Sequence, residues 1–66
     1  MMMQVIPTDV YDKDGNLLRV EFHDHEGKHH LQADWDSRDE QTSENRDAFR
    51  KWAYQMAKRL DFDIKL

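Results

Sequence analysis

The chain has no cysteine, one proline, two glycines and no long apolar run. Without cysteine there can be neither a disulfide framework nor a thiolate metal site, and a small fold lacking such staples is expected in a reducing, cytoplasmic compartment. Nowhere does the sequence approach the ~20 consecutive apolar residues of a membrane span. The start, Met1-Met2-Met3-Gln4-Val5-Ile6-Pro7, lacks a basic n-region. Together these features predict neither signal-peptide secretion nor membrane insertion. Positive charge is also in deficit: ten Lys and Arg stand against 14 Asp and Glu, a net charge of -4. That balance opposes non-specific attraction to nucleic-acid phosphates.

What is present is enough for one core. Chains of this length, 66 residues, bury only about 60% of the surface they expose when unfolded, so residues 1–66 are read as a single domain. The composition is 38% hydrophobic and 36% charged, with two Trp, three Phe and two Tyr to anchor a core, which predicts folding rather than disorder.

The two glycines mark turns. Lys13-Asp14-Gly15 reads as a three-residue hairpin loop with glycine in the left-handed position, pairing Asp12 with Asn16. Counting back predicts Val10 opposite Leu18, Thr8 opposite Val20 and Ile6 opposite Phe22, with these aliphatic residues on one face. A two-residue Glu26-Gly27 turn would pair Phe22 with Leu31, Val20 with Ala33, Leu18 with Trp35 and Arg19 with Asp34. The competing reading is a longer loop, because Glu-Gly is a weaker turn signal than Asn-Gly. Pro7 has no ladder donor, which predicts that the first strand is an edge or that its proline end is unpaired.

A polar segment from Asp36 to Glu44 leads to Thr42 and Ser43, either of which can cap a helix. Phe49, Trp52, Ala53, Met56 and Leu60 recur at three- and four-residue spacing and form the expected buried stripe. Glu44 and Asp47 near the start, and Lys58 and Arg59 near the end, complement the helix dipole. Phe62, Ile64 and Leu66 then alternate with charged neighbours, predicting a short last strand parallel to the first and third and able to pair beside either. The expected fold class is α+β: a three-stranded antiparallel β-meander packed against one C-terminal amphipathic helix, with a short fourth strand, βββαβ.

Four histidines lie within His23-Asp24-His25-Glu26-Gly27-Lys28-His29-His30. This register sets His23 opposite His30 with His25 and Lys28 next along that face, while Asp24 and His29 point to the other. His23, His25 and His30 are therefore weak metal candidates only, since a structural zinc site needs four converging ligands. No metal or other cofactor is expected, and the bland reading is a solvated hairpin tip. Protonation of these rings could alter a contact there, but no two-state element is visible for it to bias.

No nucleophile with its base, buried carboxylate pair or glycine-rich phosphate loop is present. So short a chain also has little room for a substrate pocket of ~300 Å³. The carboxylates Asp34, Asp36, Asp39, Glu40 and Glu44 read as a solvated approach to the helix, and no enzyme activity is expected.

Arg46, Arg50, Lys51, Tyr54 and Lys58 fall opposite the apolar stripe and form a basic ridge with an aromatic in its midst. Tyr11 is a second exposed aromatic, placed on the outer face of the first strand opposite Leu17. These six are the candidate protein-interaction residues. The two tryptophans are read as core. The function expected is a non-enzymatic cytoplasmic accessory or adaptor module that binds another protein or itself, with homodimerisation a route to more core. Nucleic-acid binding on the ridge is the alternative, and metal binding at the histidine hairpin the third reading.

Overall fold

The computed structural model describes residues 3–36 and 38–66. Strands β1 (Met3–Tyr11), β2 (Leu17–His23) and β3 (His29–Asp34) form the meander. Helix α1 (Ser43–Arg59) and strand β4 (Phe62–Ile64) follow. The sheet order is β3-β2-β1-β4, so the expected βββαβ arrangement is the observed one.

Both hairpins use the same local device. In Asp12-Lys13-Asp14-Gly15-Asn16, the Asp12 carboxylate accepts the N–H groups of Asp14 and Asn16 at 2.8 and 2.9 Å, and the Gly15 N–H donates to the Asp12 carbonyl at 3.1 Å. In Asp24-His25-Glu26-Gly27-Lys28, Asp24 accepts from Glu26 and Lys28 at 2.9 and 3.0 Å, and the Gly27 N–H donates to its carbonyl at 3.0 Å. Gly15 and Gly27 have φ values of 85° and 86°, the left-handed region that glycine enters without a Cβ penalty. The second turn is therefore a three-residue loop, not the expected two-residue one. The leading aspartate organises it as in the first.

Each hairpin then shifts register once. Tyr11 pairs with Leu17 but Val10 pairs with Arg19, which leaves Leu18 as an extra residue. The pairs Asp9 with Val20, Pro7 with Phe22 and Ile6 with His23 replace the expected ones. The bulge lets Leu17 and Val20, three apart, both enter the core while Leu18 stays exposed. It also reverses the faces of β1: Val5 is buried, and Ile6 and Thr8 are exposed. On the other side, Arg19 with Asp34, Val20 with Ala33 and Phe22 with Leu31 pair as expected. Beyond them His23 pairs with His29, and His30 is the extra residue.

β1 is central rather than an edge, because β4 pairs with it in parallel through Met3 with Phe62, Gln4 with Asp63 and Val5 with Ile64. Proline still decides where that pairing stops. The Lys65 N–H donates to the Val5 carbonyl at 2.9 Å, and the next β1 residue facing this side is Pro7, which has no N–H to continue the ladder.

Thr42 caps the helix, its hydroxyl accepting the Asn45 N–H at 3.1 Å. At the other end Asp61 has φ 67°, and its N–H donates to the Lys58 carbonyl at 3.0 Å, closing the last turn in a left-handed cap. Ala53 and Ala57 are fully buried against Val5, Val20, Phe22 and Ala33. These small side chains set the line of closest approach to the sheet. Phe49 and Met56 flank that line on one side and Tyr54 on the other, all partly buried on the core. The expected stripe is thus rotated, which leaves Trp52 exposed; Leu60, the C-cap residue just past the helix, is exposed as well.

The polar connection before the helix is anchored by Gln41. Its side-chain amide accepts from the Leu17 N–H at 2.7 Å and donates to the Leu17 carbonyl at 2.8 Å, as a strand neighbour would. Among the described residues, no helix is long and apolar enough to cross a membrane.

Candidate protein-interaction site

The expected basic ridge does not exist as one surface. Arg50 turns toward the sheet, and each of its three guanidinium nitrogens has an intramolecular acceptor: Asp9 at 2.9 Å, Asp47 at 3.1 Å and the Tyr11 hydroxyl at 3.0 Å. Burial disfavours the guanidinium charge, but the hydrogen bonds it donates to Asp9 and Tyr11 outweigh this and raise the pKa above its ordinary value. Tyr11 therefore faces the helix side, next to Asp9, and not the outer face assigned from the unbulged register. Arg46 donates to the Gln41 carbonyl at 2.9 Å. Tyr54 packs edge-on against Phe22 at 6.1 Å, and desolvation, then the nearby Asp9 charge, pushes its phenol pKa upward. Of the six, Lys51, Lys58 and Tyr11 are exposed, and Tyr11 is tied to Arg50 through its hydroxyl.

An open cleft of about 330 Å³ lies between the first hairpin and the helix, lined by Tyr11, Gly15, Ser43, Arg46, Asp47 and Arg50. Its two guanidiniums already have protein acceptors, which leaves the cleft a polar seam between helix and sheet.

The histidines are divided differently from the expected register. His23 and His29 share one face with ring centroids 5.4 Å apart, and His23 Nε2 lies 2.8 Å from Glu21. His30, displaced by the bulge, sits 2.9 Å from the Asp24 carboxylate and packs on Phe62. Asp24 is held at a pKa of about 2, first by His30 and then by the Lys28 N–H. Glu21 is also lowered, first by Arg19 and then by His23. His25 is exposed, with Glu26 at 3.9 Å. The three weak metal candidates thus lie in three separate environments, and among the described residues no group of three or more His, Cys, Asp or Glu is placed to hold a metal ion.

A different surface brings the aromatics together. Trp35, just beyond β3, packs on Phe49 at 5.1 Å between ring centroids, and Phe49 packs on Trp52 at 5.9 Å. Along the helix, Asn45, Ala48, Phe49 and Trp52 occupy one face by their three- and four-residue spacing. With Trp35 and Asp39 they line an open cleft of about 270 Å³. Ala48 supplies the gap, because its small side chain leaves room between Asn45 and Trp52. Trp52 is 53% exposed, in contrast to the core position expected for it.

The loop beside this cleft is held by its own bonds as well as by Gln41. The Asn45 side chain donates to the Glu40 carbonyl at 2.6 Å, and the Thr42 N–H donates to the same carbonyl at 2.9 Å. Charge is concentrated here too. Residues 34–44 carry five carboxylates and one cation, Arg38, while the rest of the chain has nine groups of each sign. The whole net charge of -4 is thus that of this segment.

No protein-family model, curated protein or solved structure matches this chain. The sequence signal for the aromatic cleft was the pair Ala53 and Ala57. Taken as the centre of the buried face, two small residues one turn apart rotate Trp52 outward and Tyr54 inward.

Proposed function

We propose that this chain is a small non-enzymatic protein-interaction module that receives its partner on the Trp35, Phe49 and Trp52 face. The observation that carries this reading is the exposure of Trp52 beside the Trp35 and Phe49 rings, outside a core that is already closed around Phe22, Val5, Val20 and the small Ala33, Ala53 and Ala57. Tryptophan is the residue type most enriched among those that dominate binding energy, and it acts from pockets that a partner can desolvate. An exposed aromatic cleft is costly to leave in water, and burial against a partner removes that cost. The non-enzymatic part is supported by the larger cleft, whose arginines are engaged in bonds that join helix to sheet and loop. A cysteine-free sequence fits a reducing compartment, and the cytoplasm is the proposed location.

The test is affinity capture from a lysate of the source organism, followed by purification of the captured protein and calorimetry. Trp52→Ala is expected to weaken binding by about thirtyfold, equivalent to about 2 kcal/mol. Lys58→Ala, on exposed surface away from the cleft, should change it less than about threefold. Equal affinity of the wild-type protein and Trp52→Ala would overturn the reading.

A further inference from the structure

We infer that the segment seated on this face is basic, with a lysine or arginine side chain of the partner laid against Trp52 and its charge directed to the Asp39 side of the cleft. This assignment rests on the protein-interaction reading above and specifies its partner.

Size is the first argument. At about 270 Å³ the cleft is open and shallow, below the ~300–1,000 Å³ of sites that enclose a whole small molecule. It suits one long side chain of a larger partner.

Ring chemistry is the second. The face of an indole carries negative electrostatic potential and attracts a cation more strongly than phenol or benzene rings do. Lysine and arginine also have apolar stems that can lie along aromatic surface while the charged head stays near water. The floor of Ala48 and Phe49 offers such a bed, and Trp35 and Trp52 rise beside it.

Charge is the third. Asp39 lines the cleft, and the segment from which it projects holds the entire negative excess of the chain. An acidic partner would meet repulsion, and a purely apolar one would gain nothing from this field. Residues 40–42, next to Asp39, are also held before binding by the Thr42 cap, the Asn45 bond to Glu40 and the Gln41 bonds to Leu17. Little ordering entropy then remains to be lost on association.

The experiment follows the amide and indole N–H resonances of the full chain by NMR during titration with a short alternating lysine–glycine peptide. The same peptide with every lysine acetylated, and a glutamate–glycine peptide, are the comparisons. The lysine peptide is expected to shift the Trp35 and Trp52 indole signals saturably and to bind at least about fivefold more tightly than the acetylated form, with no shift from the glutamate peptide. Trp52→Ala and Ala48→Leu should each weaken the lysine peptide by about fivefold or more, and Asp39→Asn by about twofold or more. Both Trp52 and Ala48 are exposed helix positions and their replacements are good helix formers, so these variants should fold.

Equal binding of the acetylated peptide, or lysine-peptide binding that survives in both Trp52→Ala and Ala48→Leu, would overturn the basic-segment assignment. A dimer of the chain that forms through Trp52 without peptide would overturn it as well. In any of these cases, a captured partner whose affinity still depends on Trp52 leaves the interaction reading standing. Loss of that dependence removes the reading itself.

Discussion

Arg50 and Asp9, 41 positions apart in sequence, form a 2.9 Å ion pair that joins the middle of the helix to the centre of the sheet. Tyr11 braces both partners, with its hydroxyl 3.0 Å from Arg50 and 3.2 Å from Asp9. The pair is about three-quarters shielded from solvent, so screening weakens it less than it would an open surface bridge. Arg50→Ala is expected to lower stability by about 1–2 kcal/mol. In a domain of this size that corresponds to a fall in Tm of roughly 4–16 °C. Arg50→Lys should recover only part of the loss, since a single ammonium cannot reproduce a fork that engages Asp9, Asp47 and Tyr11 together. Full recovery by lysine in thermal melts would show that charge alone matters.

Much of this architecture is legible in the sequence, and the parts that are not have a common cause. Gly15 and Gly27 locate both turns, the Thr42 cap and the dipole pattern locate the helix, and alternation after Leu60 locates β4. Hydrophobic pattern cannot show a bulge, however, because an extra residue such as Leu18 or His30 is itself compatible with a strand. The bulge at Leu18 moves Ile6 outward and brings Asp9 and Tyr11 toward the helix, which sets the environment of Arg50. The second bulge separated His23 from His30. On the helix, a wide apolar face does not fix its own centre, because the large residues Phe49, Trp52 and Met56 outweigh Ala53 and Ala57 in hydrophobicity although the alanines make the closest approach to the sheet. At the candidate site the large-residue stripe puts Tyr54 on the surface and Trp52 in the core, whereas Tyr54 is partly buried on the core and Trp52 is exposed.

The Asp24–His30 contact predicts a specific acid response. Asp24 falls from its ordinary 3.8 to about 2 in the fold, with the His30 hydrogen bond the largest cause. A depressed carboxylate stabilises the fold fully above its unfolded pKa, and that contribution is lost as pH falls through the folded value. Asp24→Asn keeps an oxygen for the Glu26 and Lys28 N–H groups while removing the charge that faces His30. The variant should be less stable than wild type at neutral pH, and the gap should close as pH falls from 3.8 to about 2. Urea denaturation across that window measures the gap directly. A gap independent of pH would assign Asp24 a purely conformational role in the turn.

Gln41 offers a sharper discrimination between shape and charge. Its amide both accepts from and donates to the backbone of Leu17, a residue whose side chain is buried. Gln41→Ala should cost about 2 kcal/mol, because two part-buried backbone groups lose their partner. Gln41→Glu retains an acceptor for the Leu17 N–H but sets a carboxylate oxygen against the Leu17 carbonyl. It should be at least as destabilising at neutral pH and should recover part of its stability when acid protonates the new carboxyl, which can then donate. The alanine variant has no such group and should show no added recovery. Parallel pH profiles for the two variants would count against this two-way bond.

The reversed face of β1 can be tested with two adjacent residues. Val5 is fully buried and Ile6 is 42% exposed, although Ile6 has the larger apolar side chain. On hydrophobicity alone Ile6→Ala should be the more damaging change, and the unbulged register places Ile6 opposite Phe22 in the core. The observed register makes the opposite prediction. Val5→Ala removes two methyl groups from the layer shared with Val20, Phe22, Ala53 and Ala57, and should cost about 2 kcal/mol from lost transfer energy and the resulting cavity. Ile6→Ala removes partly solvated groups from the uncovered face and should cost under about 1 kcal/mol. Chemical denaturation of the two variants measures the order. If Ile6→Ala proved the more destabilising, Leu18 could not be the bulged residue, and the placement of Asp9 and Tyr11 against Arg50 would fall with it.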